Sequence, residues 1–424
     1  ATVLTLIVLP ILFKVFDSKE FKRSKLKKGK KHLTVILLLL ASSFGFAQNT
    51  NMSREAVIAK ALENNKGIKA AALQVNKMQE NIKSSFTFEK TNVYYSYDQN
   101  NLALNNLPLK VFGVQQRFLF PTVYGVQKKA NTSEFEKEKA DYELQKNKLS
   151  LQVAKTYEQI VYWQHQERLY SYLDSLYQNF SKASDRRFEL GETNYLEKIT
   201  AQSKYRQIKT KLTQINFEKK AQYESLQALV QSDEKISILE KELVPIPTLD
   251  TTSNKAIHTA YLESISKMYK SQISLQKQHW LPDLNLEYFQ GRNNGLSQSL
   301  YGFQVGIAVP ILFSGNVSKT KVAQLESQSW EEQKQNQEQK MTQFIRQQQN
   351  EIAKYQESIN YYNATGKKLS EEIIKVANSS YKNGEIDFFQ YIQSLENAVA
   401  IKIEYVEAVL QFNSNQLELH YLNF

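Results

Sequence analysis

Arg187-Phe188-Glu189-Leu190-Gly191-Glu192 and Ser380-Tyr381-Lys382-Asn383-Gly384-Glu385 are one phrase written twice, 193 residues apart. Applied without a gap, the same offset pairs Gly113 with Gly306, Val114 with Ile307, Leu119 with Leu312 and Phe120 with Phe313. It also pairs Lys128 with Lys321, Ala130 with Ala323, Ile199 with Ile392, Ile208 with Ile401 and Lys209 with Lys402. Two glycine pairs in matching contexts make chance a poor explanation, so the chain is read as a tandem duplication with repeats at 48–245 and 246–424.

Each repeat has the same grammar. It opens with an amphipathic helical stretch, from Ser53 to about Lys83 and from Asn254 to about His279. Alternation of period two follows, as Val93, Tyr95, Tyr97 and as Leu284, Leu286, Tyr288. Asparagine-rich loops come next, around Asn100, Asn101, Asn105 and Asn106 and around Asn293, Asn294 and Gly295. Return strands run from Lys110 to Phe118 and from Gln304 to Ile311, which puts one hairpin at about 91–118 and another at about 284–312. Beyond each hairpin the chain reads as helix for a very long way. Residues 126–190 and 192–244 hold no Gly or Pro, and the second repeat has clean runs at 316–365 and 385–424 interrupted by Gly366 and Gly384. A helix of 64 residues reaches about 95 Å, a length that demands a coiled coil or tube. Leu149, Val153, Tyr157, Ile160 and Val161 recur at spacings of three and four, as helix packing requires.

Composition agrees and excludes much else. Among 424 residues there are 13 Gly, seven Pro and no Cys, which removes disulfide scaffolds, thiolate zinc, iron–sulfur clusters and a cysteine nucleophile. The net charge of +11 is uneven, since residues 1–47 carry nine Lys/Arg against Asp17 and Glu20, leaving +4 for residues 48–424. The excess reads as targeting, with no nucleic-acid partner implied. Residues 33–47 combine a preceding basic segment (18–32), an apolar run and the small residues Gly45 and Ala47, which predicts a secretory signal cleaved between Ala47 and Gln48. Residues 1–17, with Thr5-Leu6-Ile7-Val8-Leu9-Pro10-Ile11-Leu12, resemble the end of the last transmembrane helix of a heavy-metal RND efflux pump. That resemblance implies a pump remnant fused upstream of an exported module.

The expected fold class is an α+β membrane protein. Two hairpins give four strands, too few for a membrane barrel, which needs at least about eight, and open edges are not tolerated in lipid. Partner chains must therefore close the sheet, and a homotrimer would supply twelve strands. The alternative is a soluble protein whose hairpins pack on its own helices.

The order helix, hairpin, long helix, helix, written twice and carrying the Phe188-to-Gln202 and Tyr381-to-Gln393 segments, resembles the TolC family of outer-membrane efflux ducts over residues 50–424. The resemblance implies a long α-helical coiled-coil barrel crossing the periplasm and a β-barrel in outer-membrane lipid. It also implies docking by a periplasmic adaptor protein and supply by an inner-membrane RND pump, with metal ions as the first cargo to consider. A duct for type I protein secretion or multidrug efflux, and a periplasmic coiled-coil scaffold, are the rival readings. By spacing, the family's acidic pore ring falls on Gln390 and Gln393, which are neutral amides and would hydrate a pore without trapping cations. Asp387 and Glu197 are the neighbouring carboxylates that would substitute. Gly191, Gly384, Tyr195 and Phe388 mark the helix turn, either as the adaptor-docking tip or as packing of a helical hairpin.

Chemistry of other kinds is not visible. His32, His165, His258, His279 and His420 are isolated, and Met52, Met78, Met268 and Met341 are scattered, so neither a metal site nor a catalytic or cofactor site is expected. Trp280, Tyr94, Tyr95 and Tyr97 stand near strand ends, where an interfacial aromatic girdle would sit.

Overall fold

The structure is a computed structural model describing residues 51–102, 106–250, 252–292 and 298–422. The pump-like segment, the basic linker and the signal with its Ala47–Gln48 cleavage lie outside the described residues. Each repeat begins with helix. Ser53 caps α1 (Arg54–Asn64), its hydroxyl accepting from the Ala56 amide at 3.3 Å. One continuous first helix was the expectation, but Asn65 divides it. Its backbone is extended, and its side chain accepts from the Gly67 and Ile68 amides to start α2 (Lys66–Lys83). The second repeat uses a single helix, α5 (Thr252–Gln278), in the same place.

The four long strands are β2 (Asn92–Leu102), β3 (Pro108–Phe118), β5 (Asp283–Arg292) and β6 (Leu300–Ala308). They form one antiparallel sheet in the order β2-β3-β5-β6, so each hairpin is local and β3 against β5 joins the repeats. A second, two-residue parallel pair sets β1 (Asn51–Met52) against β4 (Ser237–Ile238). Tyr157 locks that pair, its hydroxyl donating to the Met52 carbonyl at 2.9 Å and accepting from the Leu239 amide at 3.2 Å.

The helices that follow are long. α3 runs Pro121–Glu189, 69 residues, with proline at its first position, where no amide partner is lost. At ~1.5 Å per residue it is about 100 Å long. Its counterpart is α6 (Ser314–Tyr361), a π turn (Tyr362–Gly366) and α7 (Lys367–Lys382), which together span residues displaced from α3 by the 193-residue offset. Gly366 was expected to interrupt this helix, and the α-helix does give way there to the π turn, although the helical path continues through it. Gly366 lies buried inside that path, where an added Cβ would meet Ile401 Cγ2 at 3.2 Å. Glycine there serves close helix approach, and Tyr362 stacks on Tyr405 of the facing helix at 3.9 Å.

The return helices are α4 (Tyr195–Val230) and α8 (Phe388–Tyr421). Helix was expected through residue 244 from the lack of Gly and Pro. It stops at Val230 because Gln231 takes the left-handed conformation (φ 53) and its side chain caps the Lys66 amide at 2.8 Å. The released chain then forms β4 and crosses the bundle. Midway along the helices, Val57, Ala61, Val153, Ile160, Leu226, Val230, Ile238 and Val409 make one core. Inside it Glu158 pairs with Arg54 at 3.0 Å and accepts from Asn413 at 2.8 Å. Burial, the largest influence, pushes the Glu158 carboxyl above its ordinary range, with Asn413 and Arg54 offsetting only part of that.

Candidate functional site: sheet wall and helix-turn tip

The sheet has two unlike faces. Residues paired across a ladder share a face, so the register places Tyr95, Phe112, Val114, Leu286, Tyr288, Phe303 and Val305 together. Over its middle this face is apolar and open, with Phe303 79% and Val305 65% exposed, and its polar members Lys110, Gln116, Gln290 and Arg292 lie toward the strand ends. The other face carries Tyr94, Asp98, Gln115, Arg117, Asp283, Asn285 and Glu287. Arg117 and Asp283 pair across it at 2.5 Å, and the Tyr94 hydroxyl donates to Glu287. Tyr94 therefore differs from Tyr95 and Tyr97: it belongs to the polar side, away from any interfacial girdle. Gly113 permits this, since a Cβ there would stand 2.3 Å from the Tyr94 ring. Trp280, just before β5, is 41% exposed.

Each strand holds 9 to 11 residues, the length that spans the hydrocarbon core of a bilayer. No helix among the described residues is long and apolar enough to cross a membrane. The outer edges of β2 and β6 have no strand partner among the described residues.

At the opposite end of the long helices lies the duplicated phrase. Gly191 and Gly384 sit at φ +72 and +74, left-handed values that cost other residues a steric clash. The amide of Glu192 donates to the Arg187 carbonyl at 2.8 Å and that of Glu385 to the Ser380 carbonyl at 2.8 Å, so both helices close with the same Schellman turn. Both following helices are capped within four residues. Asn194 accepts from the Glu197 amide at 2.8 Å. Asp387 accepts from the Gln390 amide at 2.8 Å while the Gln390 side chain accepts from the Asp387 amide at 3.0 Å, a reciprocal capping box.

These contacts place the candidate pore residues. Asp387 and Gln390 are exposed but spend side-chain oxygens on the helix start. Gln393 is exposed and donates to Asn397 at 3.0 Å. Glu197 accepts from Arg187 at 3.2 Å and from Thr193 at 2.5 Å, so its charge is matched within the protomer. The turn residues separate sharply: Tyr195 is 62% exposed, whereas its counterpart Phe388 is 3% exposed and stacks on Phe180 at 4.6 Å. Around Phe388 a second core forms from Leu173, Tyr177, Phe180, Tyr391, Ile392, Leu395 and Val399. Burial raises the phenol pKa of Tyr177, Tyr381 and Tyr391, and the Tyr391 hydroxyl donates to Asn378 at 2.7 Å.

Arg187 escaped the sequence reading although it is central here. It reaches Glu197 and also donates to the Tyr381 hydroxyl at 3.0 Å, tying the first repeat to the second. The paired arginines at the end of α3, ten residues before a carboxylate, were the available signal. Among the described residues no group of three or more His, Asp or Glu side chains is arranged to hold a metal ion.

No protein-family model matches the sequence, and no curated protein does. Solved structures do match along most of the chain. A structure of CusC, described by its transmembrane channel formation, superposes with a TM-score of 0.72 at 15% identity, covering 88% of this chain and 92% of that one. The Campylobacter jejuni CmeC outer membrane channel gives 0.72 at 14%, covering 89% and 87%. The outer-membrane channel OprN gives 0.74 at 11%, covering 89% and 91%. The chain thus shares its fold with the TolC family of outer-membrane channels.

Proposed function

We propose that the chain is a non-enzymatic outer-membrane duct of an efflux system, through which solutes delivered by an inner-membrane RND pump and a periplasmic adaptor pass out of the cell. The observation that carries this assignment is the two-faced sheet with open edges at β2 and β6. Apolar side chains facing outward suit lipid, polar ones facing the other way suit an aqueous lumen, and unpaired edges in lipid require closure. Three copies joined edge to edge give a barrel of twelve strands, with α3, α4, α6, α7 and α8 forming the helical tube that crosses the periplasm.

Mechanism follows from geometry and electrostatics. The polar sheet face, with Asp98, Asp283, Glu287 and Arg117, keeps water in the barrel. At the tip, Gln390, Gln393 and Asp387 line the constriction, where amides hydrate the passage with less cation trapping than a carboxylate ring would impose. Gly191, Gly384 and Tyr195 form the end that the adaptor meets, while Phe388, buried against Phe180, packs the helical hairpin beneath it. Metal ions are the proposed cargo, on the likeness of residues 5–12 to a heavy-metal pump. The chain itself exerts little selection, because choice lies with the pump.

Crosslinking of residues 48–424 in detergent, with conductance measured in a planar bilayer, tests the assignment. Trimers that conduct are expected. Stable monomers without conductance would overturn it.

A further inference from the structure

We propose that a notch beside Trp280 binds the headgroup of an anionic phospholipid, with Lys277 and Lys321 holding its phosphate and the indole covering the glycerol and upper acyl carbons. The inference rests on the assignment of the chain as an outer-membrane duct and adds a lipid site to it. The notch is a cavity of about 400 Å³ lined by Lys277, Trp280, Val317, Thr320, Lys321 and Gln324. It lies between the end of α5 and the first turns of α6, directly before β5. That is the level at which strands long enough to span lipid give way to the helical tube.

The first repeat shows the same place filled by its own side chains. Phe86 stacks on Tyr124 at 6.3 Å, Phe88 meets Tyr124 edge-on at 5.6 Å, and Lys128 lies over the Phe86 ring at 5.9 Å. Through the 193-residue offset Phe86, Phe88 and Tyr124 become His279, Leu281 and Val317, so all three rings are gone. His279 and Leu281 line a different cavity, beside Arg117 and Asp283, which leaves the notch open. Lys128 is kept as Lys321, and Ser84 becomes a second cation, Lys277. Neither lysine has an ion-pair partner among the described residues, and no carboxylate lines the notch. Packing alone would favour the rings; an open apolar floor with two added charges suits an amphiphilic anion. Its surroundings fix which anion. Phe88 also packs edge-on against Phe118 at 5.5 Å, and Phe118 pairs with Leu284 on the apolar side of the sheet. The offset carries Phe118 to Ile311, and Ile311 and Leu312 are 83% and 85% exposed. The notch therefore opens on the side that faces lipid, with uncovered aliphatic residues next to it for an acyl chain. Tryptophan at the polar–apolar boundary completes the match, since its ring is apolar and its N–H is a donor.

Native mass spectrometry of the full chain in detergent tests the site, with dioleoyl phosphatidylglycerol and dioleoyl phosphatidylcholine supplied in equal amounts. The unaltered protein should retain the anionic lipid roughly thirtyfold over the zwitterionic one, as two lysines at an anionic surface imply. Lys277→Gln/Lys321→Gln should remove that factor, and Lys277→Arg/Lys321→Arg should keep it. Val317→Tyr, which restores a ring of the first repeat, should lower retention of both lipids while leaving each charge in place. Equal retention of the two lipids by the unaltered protein, or an unchanged preference in the glutamine variant, would overturn the site. Displacement of the anionic lipid by inorganic phosphate at matched concentration would overturn it too, in favour of a plain anion site. Conductance in a phosphatidylcholine bilayer keeps the two readings apart. A chain that assembles and conducts without lipid preference would overturn the notch but not the duct; one that neither assembles nor conducts would overturn both.

Discussion

At the scale of single residues, the turn glycines and the buried ionisable groups give the sharpest expectations. A Cβ on Gly191 or Gly384 would meet nothing within 4 Å, so replacement by alanine tests backbone strain alone. The left-handed conformation should cost about 1–2 kcal/mol, read as roughly tenfold faster amide exchange around the turn for each ~1.4 kcal/mol. Glu158→Ala removes the carboxylate that Asn413 donates to and one of the two that Arg54 reaches, Glu55 being the other. Loss of about 3 kcal/mol is expected, measured as a lower denaturant midpoint. His165 is half-buried, its Nδ1 is enclosed without a hydrogen-bond partner, and desolvation holds its pKa below the ordinary imidazole value. The unfolded chain therefore takes up a proton near pH ~6.5 that the folded chain refuses, so stability falls as pH drops below about 6.5. His165→Leu should flatten that acid limb of the melting-temperature profile.

At the scale of elements, alternation in the strands was legible because period two is a local signal, and β3 and β5 formed where they were read. By contrast, β2 runs on through Asn100 and Asn101, read as loop, and β6 starts at Leu300 and ends at Ala308, ahead of the 304–311 expected. Face assignment was less legible. Tyr94, Tyr95 and Tyr97 look alike in sequence, and only the register shows that Tyr94 turns toward Glu287. The face assignment predicts an asymmetry on β6. Val305→Lys, on the apolar face, should cost about 2–4 kcal/mol of assembly if that face meets mid-bilayer, whereas Gln304→Lys on the polar face should be tolerated. Yield of the heat-modifiable oligomer on gels distinguishes them. Glycine was a sound guide to helix ends at Gly191 and Gly384, and a poor one at Gly366 and past Val230. At Gly366 the helical path goes on through a π turn packed close to Ile401, and Gln231 ends a helix although no glycine or proline is near. Both outcomes are set by tertiary neighbours that no local pattern encodes.

At the scale of the whole molecule, the duplication was readable from the phrase at Gly191 and Gly384 and the paired residues around it, and it carried the fold. The candidate site was readable only in part. Spacing put Gln390, Gln393, Asp387 and Glu197 beside the helix turns, where they stand as the proposed constriction. It did not reveal that capping engages Asp387 and Gln390 or that Arg187 neutralises Glu197, because those are contacts between residues brought together by the turn. Fusion of two repeats in one chain has a further consequence. A ring built from a single repeat must write the same letter at every station of a given height, so one charge becomes six like charges facing each other. A fused chain alternates two letters. Lys211 on α4 and Glu404 on α8 occupy the same height by the 193-residue offset and carry opposite signs, and Glu197 alternates with the neutral Gln390. In the trimer proposed above, each level of the wall would combine cation with anion, or charge with amide, at half the like-charge density. Duplication here acts as an electrostatic vocabulary, letting a symmetric tube hold a pattern that symmetry alone would forbid.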